Sequence, residues 1–373
     1  MKILYFANTD WFLYNYSLSL FKFMQVKGHE ICLFSPNGPY SEFLIKENFT
    51  WQEFSLSRKG MNPFTELRSI RQFQKVLSNN PPDILHNFTL KSVLYGSLAA
   101  RKFKHIKTVN TITGMGFLFI NNDIRTSIIR AFLIPFLRYA LKETMVFFLN
   151  TTDRDYFLKR QIIKPEQARI INGAGVDVSL YSPEKPVQKE KKPTIIFPAR
   201  LLKDKGIYEF VEAARITKKQ HSECIFALVG SIDDGNPSSI SEDELNAWLR
   251  EGIVEWWGWQ DEMVKVYQQA SIVCLPSYRE GLATSLLEAA ACAIPIITTD
   301  VPGCRELVKN NVTGFIVPTH DAQELARCII YMVEHPSQSI EMGSRARDFI
   351  IEKYSQDTVN TDIYQTYMEL GKV

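Results

Sequence analysis

Two carboxylates, Glu280 and Glu288, are the residues best spaced to do chemistry, in the stretch SYREGLATSLLEAAAC that runs from Ser277 to Cys292. The apolar run before them, Ser271–Pro276, reads as a short buried strand. Gly281 breaks the chain, and a helical pattern continues through Leu286, Leu287, Ala289 and Ala290. Two turns of α-helix hold about seven residues. Glu280 on the strand-to-helix loop and Glu288 inside the helix can therefore face one crevice at the carboxyl end of a parallel strand, where open α/β sheets take ligands. Two acids alone also fit a helix cap and a solvated surface residue. The flanking Ala283, Ala289, Ala290, Ala291 and Ala293 instead describe a tightly packed helix, in which a carboxylate needs a hydrogen-bonding partner. Ribose and sugar hydroxyls are suitable partners.

A second constellation, Arg200-Leu-Leu-Lys203-Asp204-Lys205-Gly206, follows one apolar run and precedes a helical one. Cations and a glycine at a helix N-terminus make an anion site. A planar guanidinium beside a point-charge ammonium suits a diphosphate, and a solvated basic turn is the alternative. His86 ends an apolar run and could face a crevice, although a lone histidine is more often structural. Asp233-Asp234 lies in a polar stretch and reads as solvated.

The elements that must position these groups alternate along the whole chain of 373 residues. Strand patterns fall at Lys2–Ala7, Ile31–Phe34, Asp83–His86, Lys107–Thr111, Met145–Leu149 and Arg169–Ile171, with helical patterns among them. Tyr181–Pro193 holds four lysines and three prolines and reads as an interdomain linker. Strands then resume at Thr194–Pro198, Ile225–Val229, Ile253–Trp257, Ile294–Thr298 and Phe315–Val317, and Asp233–Glu244 reads as an acidic loop. The pattern predicts an α/β protein with two parallel sheets. The first domain is expected over residues 1–185 and the second over 186–354, with a last helix in 355–373 that has no strand after it.

Composition bounds the function. Residues 1–170 carry 23 Lys and Arg against 12 Asp and Glu, whereas the remainder carries 20 against 29. A basic half points to an anionic partner: nucleic acid, a membrane surface or a phosphorylated substrate. Nucleic acid is disfavoured, because no recognised module or basic aromatic strand is present. A dinucleotide enzyme is disfavoured too, since Asn8-Thr9-Asp10-Trp11 follows the first strand in place of a glycine-rich turn. The six cysteines form no CxxC pair and read as core residues. No uncharged run is long enough to span a bilayer, and the first residues have no signal-peptide shape. A cytoplasmic protein, soluble or peripheral, is expected.

Arg200-x4-Lys205 followed by Glu280-x7-Glu288 resembles the retaining glycosyltransferases of family 4. Gly175-Val176-Asp177 with Tyr181 and Pro183 is similar to that family's GVDxxxFxP segment. Ser277–Gly281 resembles its PSxxEG loop. Gly303-Cys304-Arg305-Glu306 and Asn311-Val312-Thr313-Gly314 resemble its following glycine region. The resemblance implies the GT-B fold, two Rossmann-like doubly wound parallel-sheet domains facing across a cleft, with the last helix packed back on the first. It also implies roles. Arg200 and Lys205 would hold the donor diphosphate, Glu280 would contact the transferred sugar, and Glu288 would hold the ribose. Gly281 and Leu282 would add backbone amides at the phosphates, and Gly230 and Trp259 would lie near the nucleotide. No DxD pair lies between a strand and a helix, so neither a metal nor a cofactor is expected beyond the UDP-sugar donor itself.

Within that family, Ser57–Pro63 and Thr113–Phe117 resemble enzymes acting on polyprenyl-diphosphate-linked saccharides in surface-polysaccharide and N-glycan precursor assembly, often with UDP-N-acetylhexosamine donors. Arg58, Lys59, His86, Asn110 and Thr113 are the acceptor-side candidates. Arg68, Arg71, Lys75, Arg125, Arg130 and Arg138, interleaved with Phe64, Phe73, Phe132 and Phe136, would make a basic and apolar face suited to an anionic membrane and a lipid diphosphate. Core helices with solvated arginines are the equal alternative. The expected partners are therefore a UDP-sugar, a lipid-linked saccharide and the inner face of the plasma membrane. A transferase with a soluble acceptor and a sugar-nucleotide 2-epimerase remain as competing readings.

Overall fold

The computed structural model describes residues 1–54, 63–114, 124–183 and 192–371. It divides into two compact units, Met1–Ala174 with Gln356–Val373, and Gly175–Ser355. Among the described residues the first unit holds β1 (Lys2–Phe6), β2 (Glu30–Ser35), β3 (Thr50–Glu53), β4 (Ile84–Phe88), β5 (Lys107–Ile112), β6 (Met145–Phe148) and β7 (Ala168–Ile170). They form one parallel sheet in the order β3-β2-β1-β4-β5-β6-β7. The chain steps outward from β1 to β3 and then returns beside β1 with β4. Ligand crevices of doubly wound sheets form outside the carboxyl ends of strands at such a reversal.

The central strands are buried almost throughout, on both faces, β4 and β5 included although they carry polar residues. Several of the polar residues they carry are paired. His86 joins Tyr367 Oη at 2.5 Å and Thr111 Oγ1 at 2.7 Å, while Asn87 Nδ2 donates to Asn110 Oδ1 at 2.9 Å. The Gln356–Gly371 helix belongs to this unit. Its Val359, Ile363 and Tyr367 share an apolar cluster with Ile3, Tyr5, Leu13 and Phe21, and Asn360 Nδ2 donates to Ser19 Oγ at 2.9 Å.

The second unit holds β8 (Thr194–Pro198), β9 (Ile225–Val229), β10 (Glu255–Gly258), β11 (Ile272–Leu275), β12 (Ile296–Thr299) and β13 (Gly314–Val317). They pair in parallel in the order β10-β9-β8-β11-β12-β13. The break between units falls before the lysine-rich stretch. Val176 N donates to Tyr354 O at 2.8 Å, and Arg347 donates to the carbonyls of Val178 at 3.1 Å and Tyr181 at 2.9 Å. The half-buried Arg347 guanidinium and this backbone bond thus tie residues 175–183 to the second unit. The acidic stretch is also more ordered than a loop. Ser241 caps the Glu242–Glu251 helix, accepting from Glu244 N while Glu244 accepts from Ser241 N, a reciprocal cap with the S-x-x-E spacing. All six cysteines are free and buried.

Candidate active site

The strand β11, a loop, and the Thr284–Ala291 helix place Glu280 before the helix and Glu288 inside it. Arg200 and Lys205 lie between β8 and the Ile207–Lys218 helix. Both sets of loops leave the carboxyl ends of neighbouring parallel strands, since β8 and β11 are paired. The fold thereby closes a gap in sequence. Lys205 Nζ forms an ion pair with Glu280 Oε1, and Ser277 Oγ donates to the same oxygen at 2.8 Å. The two charged side chains keep 20% and 12% of their surface exposed, so the pair is set into the protein yet open to a ligand.

Two glycines make this approach possible. Gly206 has φ +76° and a Cβ there would sit 2.1 Å from the Pro276 carbonyl oxygen. Gly303 has φ +80° and a Cβ would sit 2.6 Å from the Glu280 backbone. Only glycine accepts both the conformation and the contact. The loop is pinned further by Tyr278, whose hydroxyl donates to Glu209 at 2.8 Å and whose ring lies 4.0 Å from that of His320.

Arg200 Nη1 pairs with Asp233 Oδ2 at 2.5 Å, and Asn236 Nδ2 donates to the same carboxylate at 3.0 Å. The Asn236 hydrogen bond, with Arg200, holds the Asp233 carboxyl below its ordinary range. Asp233 is therefore not the solvated acid expected. The turn after β9 folds onto the cationic loop, with Lys203 N donating to Ser238 O at 2.8 Å.

Glu288 makes its bonds elsewhere. Tyr267 Oη lies 2.9 Å from Glu288 Oε2, and the Tyr181 hydroxyl bears on the same carboxylate. Burial pushes the Glu288 carboxyl up to about 7, and the two hydroxyls pull it part of the way back. Of the remaining nucleotide-side candidates, Gly230 N donates to Gly258 O at 2.9 Å and its carbonyl accepts from Trp256 Nε1 at 2.8 Å. Trp259 is 64% exposed, with its indole N–H on Asp261 Oδ1 at 2.9 Å. Gly281 and Leu282 are half-buried in the turn that Ala283 N closes onto Gly303 O at 2.9 Å. Among the described residues no group of three His, Cys, Asp or Glu could hold a metal ion.

The acceptor-side candidates fare differently. His86 is 0% exposed, lies inside β4 instead of ending it, and burial lowers its imidazole to about 3. It is a neutral residue of the core. Asn110 is also 0% exposed, its amide taken by Asn87, Ser97 and Thr144. Both side chains are enclosed for one reason: β4 and β5 are interior strands covered on both faces. Thr113, one residue past β5, is half-buried and keeps a place at the carboxyl edge. Arg58 and Lys59 lie outside the described residues, as do the side chains of Phe64 and Arg125.

The proposed basic and apolar face resolves into two helices. In Pro63–Asn79, Phe73 and Leu77 are core and Arg68, Arg71 and Lys75 are simply exposed. In Ile124–Ala140, Leu137 is buried while Phe132, Phe136 and Tyr139 are 71%, 60% and 58% exposed. Arg138 is engaged, donating to the carbonyls of Gln161 at 2.9 Å and Arg160 at 3.0 Å, and the Arg101 guanidinium lies 4.0 Å from the Tyr139 ring centre. No described helix is long and apolar enough to cross a membrane.

The sequence reading missed Tyr267 and the hydroxyl role of Tyr181, for which no local pattern gives a signal. It also missed Thr89, at the carboxyl end of β4, which holds φ +69° and a buried hydroxyl without a protein partner.

Residues 2–151 match the family described as Glycosyl transferase 4-like, and residues 181–349 match Glycosyl transferases group 1. The chain is 26% identical to the N,N'-diacetylbacillosaminyl-diphospho-undecaprenol alpha-1,3-N-acetylgalactosaminyltransferase of Campylobacter jejuni, over 99% of this chain and 98% of that protein. It is 23% identical to the UDP-Gal:alpha-D-GlcNAc-diphosphoundecaprenol alpha-1,3-galactosyltransferase of Escherichia coli, over 86% and 83%. The crystal structure of Anabaena HepE in complex with UDP superposes with a TM-score of 0.80 at 17% identity, covering 99% of this chain and 100% of that one. Two doubly wound parallel sheets, a cationic loop paired with the first Glu of an E-x7-E stretch, and family matches over both units lead to one conclusion: this chain belongs to the glycosyltransferases, with the GT-B fold, a 4-like first unit and a group 1 second unit.

Proposed function

We propose that this glycosyltransferase moves an N-acetylhexosamine from a UDP-sugar to a polyprenyl-diphosphate-linked saccharide, with retention of anomeric configuration. It would do so without a metal ion or cofactor, as a peripheral protein on the inner face of the plasma membrane. The observation that carries the reading is the Lys205–Glu280 pair beside Arg200. An ammonium and a guanidinium in the loop at the carboxyl end of β8 suit a diphosphate, and they stabilise charge as it develops on the leaving UDP. The diphosphate replaces Asp233 as the partner of Arg200. Glu280, held by Lys205 and Ser277, meets the hydroxyls of the transferred sugar, and Glu288 meets the ribose.

The bond from the anomeric carbon to the phosphate oxygen breaks, and one to the acceptor oxygen forms on the same face. The acceptor proton passes to the departing phosphate oxygen. With His86 and Asn110 buried, no base is assigned among the described residues, and in this reading the leaving group serves that role.

Lipid-linked acceptors appear in the names of both relatives, in Campylobacter jejuni and Escherichia coli. The exposed Phe132, Phe136 and Tyr139, next to Arg101 and Arg138, support contact with a membrane surface. The test is a panel of radiolabelled UDP- and GDP-sugars incubated with polyprenyl-diphosphate saccharides and with free saccharides. Label from a UDP-N-acetylhexosamine should enter the organic phase, in EDTA as in its absence. Transfer only to the soluble saccharides, or only from a GDP-sugar, refutes the assignment.

A further inference from the structure

Glu288 is held from two sides by phenols. Tyr267, on the short Met263–Tyr267 helix, is 0% exposed, and its hydroxyl lies 2.9 Å from Glu288 Oε2 and 3.0 Å from the Ser285 carbonyl oxygen. One hydroxyl proton thus has two acceptors. When Glu288 is ionised the proton points at the carboxylate. When Glu288 is protonated, the acid donates to Tyr267 and Tyr267 donates to Ser285. Either state leaves no buried polar atom of the pair unsatisfied, so the carboxyl keeps one orientation through its titration.

Tyr181 approaches from the segment that Arg347 ties down, and its ring centre is 6.1 Å from that of Tyr267. A phenylalanine at 181 would fill the same space against Tyr267 but would give Glu288 no donor. Tyr267 fills one of the roughly four acceptor positions of the carboxylate and Tyr181 bears on it as well, which leaves capacity for a ligand. A ribose, with adjacent 2′ and 3′ hydroxyls, matches that remainder.

We propose that Tyr267 and Tyr181 are positioning residues that aim the Glu288 carboxylate at the ribose hydroxyls, and so set the preference of the site for a ribonucleotide over a deoxyribonucleotide. The proposal rests on the reading of Glu288 as the ribose ligand. The experiment separates the two. Titration calorimetry gives the Kd of UDP and of 2′-deoxy-UDP for the parent, Tyr181→Phe, Tyr267→Phe, the double variant and Glu288→Ala.

The parent should prefer UDP by about tenfold or more, the loss expected for one hydrogen bond to a charged group. Glu288→Ala should abolish that preference. The double phenylalanine variant should lose most of it and each single variant part of it, with the affinity for UDP falling more than that for 2′-deoxy-UDP, which keeps only the 3′ hydroxyl contact. A purely structural role would weaken both nucleotides together and leave the ratio intact. Parent-like ratios in both phenylalanine variants, with the ratio lost in Glu288→Ala, overturn the positioning role alone. A parent-like ratio in Glu288→Ala overturns the ribose assignment beneath it. Tyr181 is only half-buried, so Tyr181→Phe keeps the test open if Tyr267→Phe fails to fold.

Discussion

Replacing Glu288 by glutamine tests the energetics of the site without a substrate. The carboxyl sits at about 7 in the folded chain against an ordinary 4.5. Between those values the folded state binds more protons than the unfolded one, so stability falls as pH rises through the window and stays reduced above 7. At 1.36 kcal/mol for each pH unit of displacement, the cost is on the order of 3 kcal/mol. Partial solvent contact of the residue makes this an upper value. Glutamine has nearly the same shape, still pairs with both tyrosine hydroxyls, and carries no charge to desolvate.

Glu288→Gln should therefore match the parent near pH 4.5 and exceed it at pH 8. For a unit of this size, about 2–4 °C in Tm accompanies each kcal/mol. Scanning calorimetry at pH 5, 6, 7 and 8 should thus show a gain that widens toward a limit of roughly 6–12 °C. UDP affinity should fall in the same variant, a stability gain at the expense of function. An equal gain at pH 5 and pH 8, or a parent that is the more stable at pH 8, refutes the reasoning.

Lys205→Ala should weaken UDP binding roughly tenfold to a hundredfold while keeping the fold, since one charge-assisted contact is lost. Because Lys205 touches Glu280, the Lys205→Ala/Glu280→Ala double variant should lose less than the sum of the singles in calorimetry. His86→Ala should cost about 2–4 kcal/mol in denaturant unfolding by opening a core cavity and orphaning its partners. The folded fraction should bind UDP as the parent does, and a tenfold loss of UDP affinity there would contradict the structural role. Phe132→Ser with Phe136→Ser should release the protein from anionic liposomes without lowering Tm, because both rings are exposed; unchanged sedimentation would make that helix face an ordinary surface.

Local order was legible without coordinates wherever hydrogen bonding and burial repeat along the chain. The apolar runs at β1, β8, β9 and β11, the break at Gly281, and the helix carrying Glu288 all follow from periodicity, as does the cationic turn between β8 and its helix. What the tertiary structure decided is which of these pieces meet. Lys205 finds Glu280 because β8 and β11 are neighbours in the sheet, though the residues are 75 apart in sequence. Asp233 finds Arg200 because the turn after β9 folds over the loop after β8. Tyr181 and Tyr267 reach Glu288 through packing that leaves no periodic trace. His86 and Asn110 show the converse. A polar residue near the end of an apolar run looks exposed in sequence, yet β4 and β5 are central strands, and His86 and Asn110 are hydrogen-bonded inside the core. Backbone propensity acts over neighbours along the chain, whereas burial and charge pairing are set by strand order, which only the assembled sheet contains.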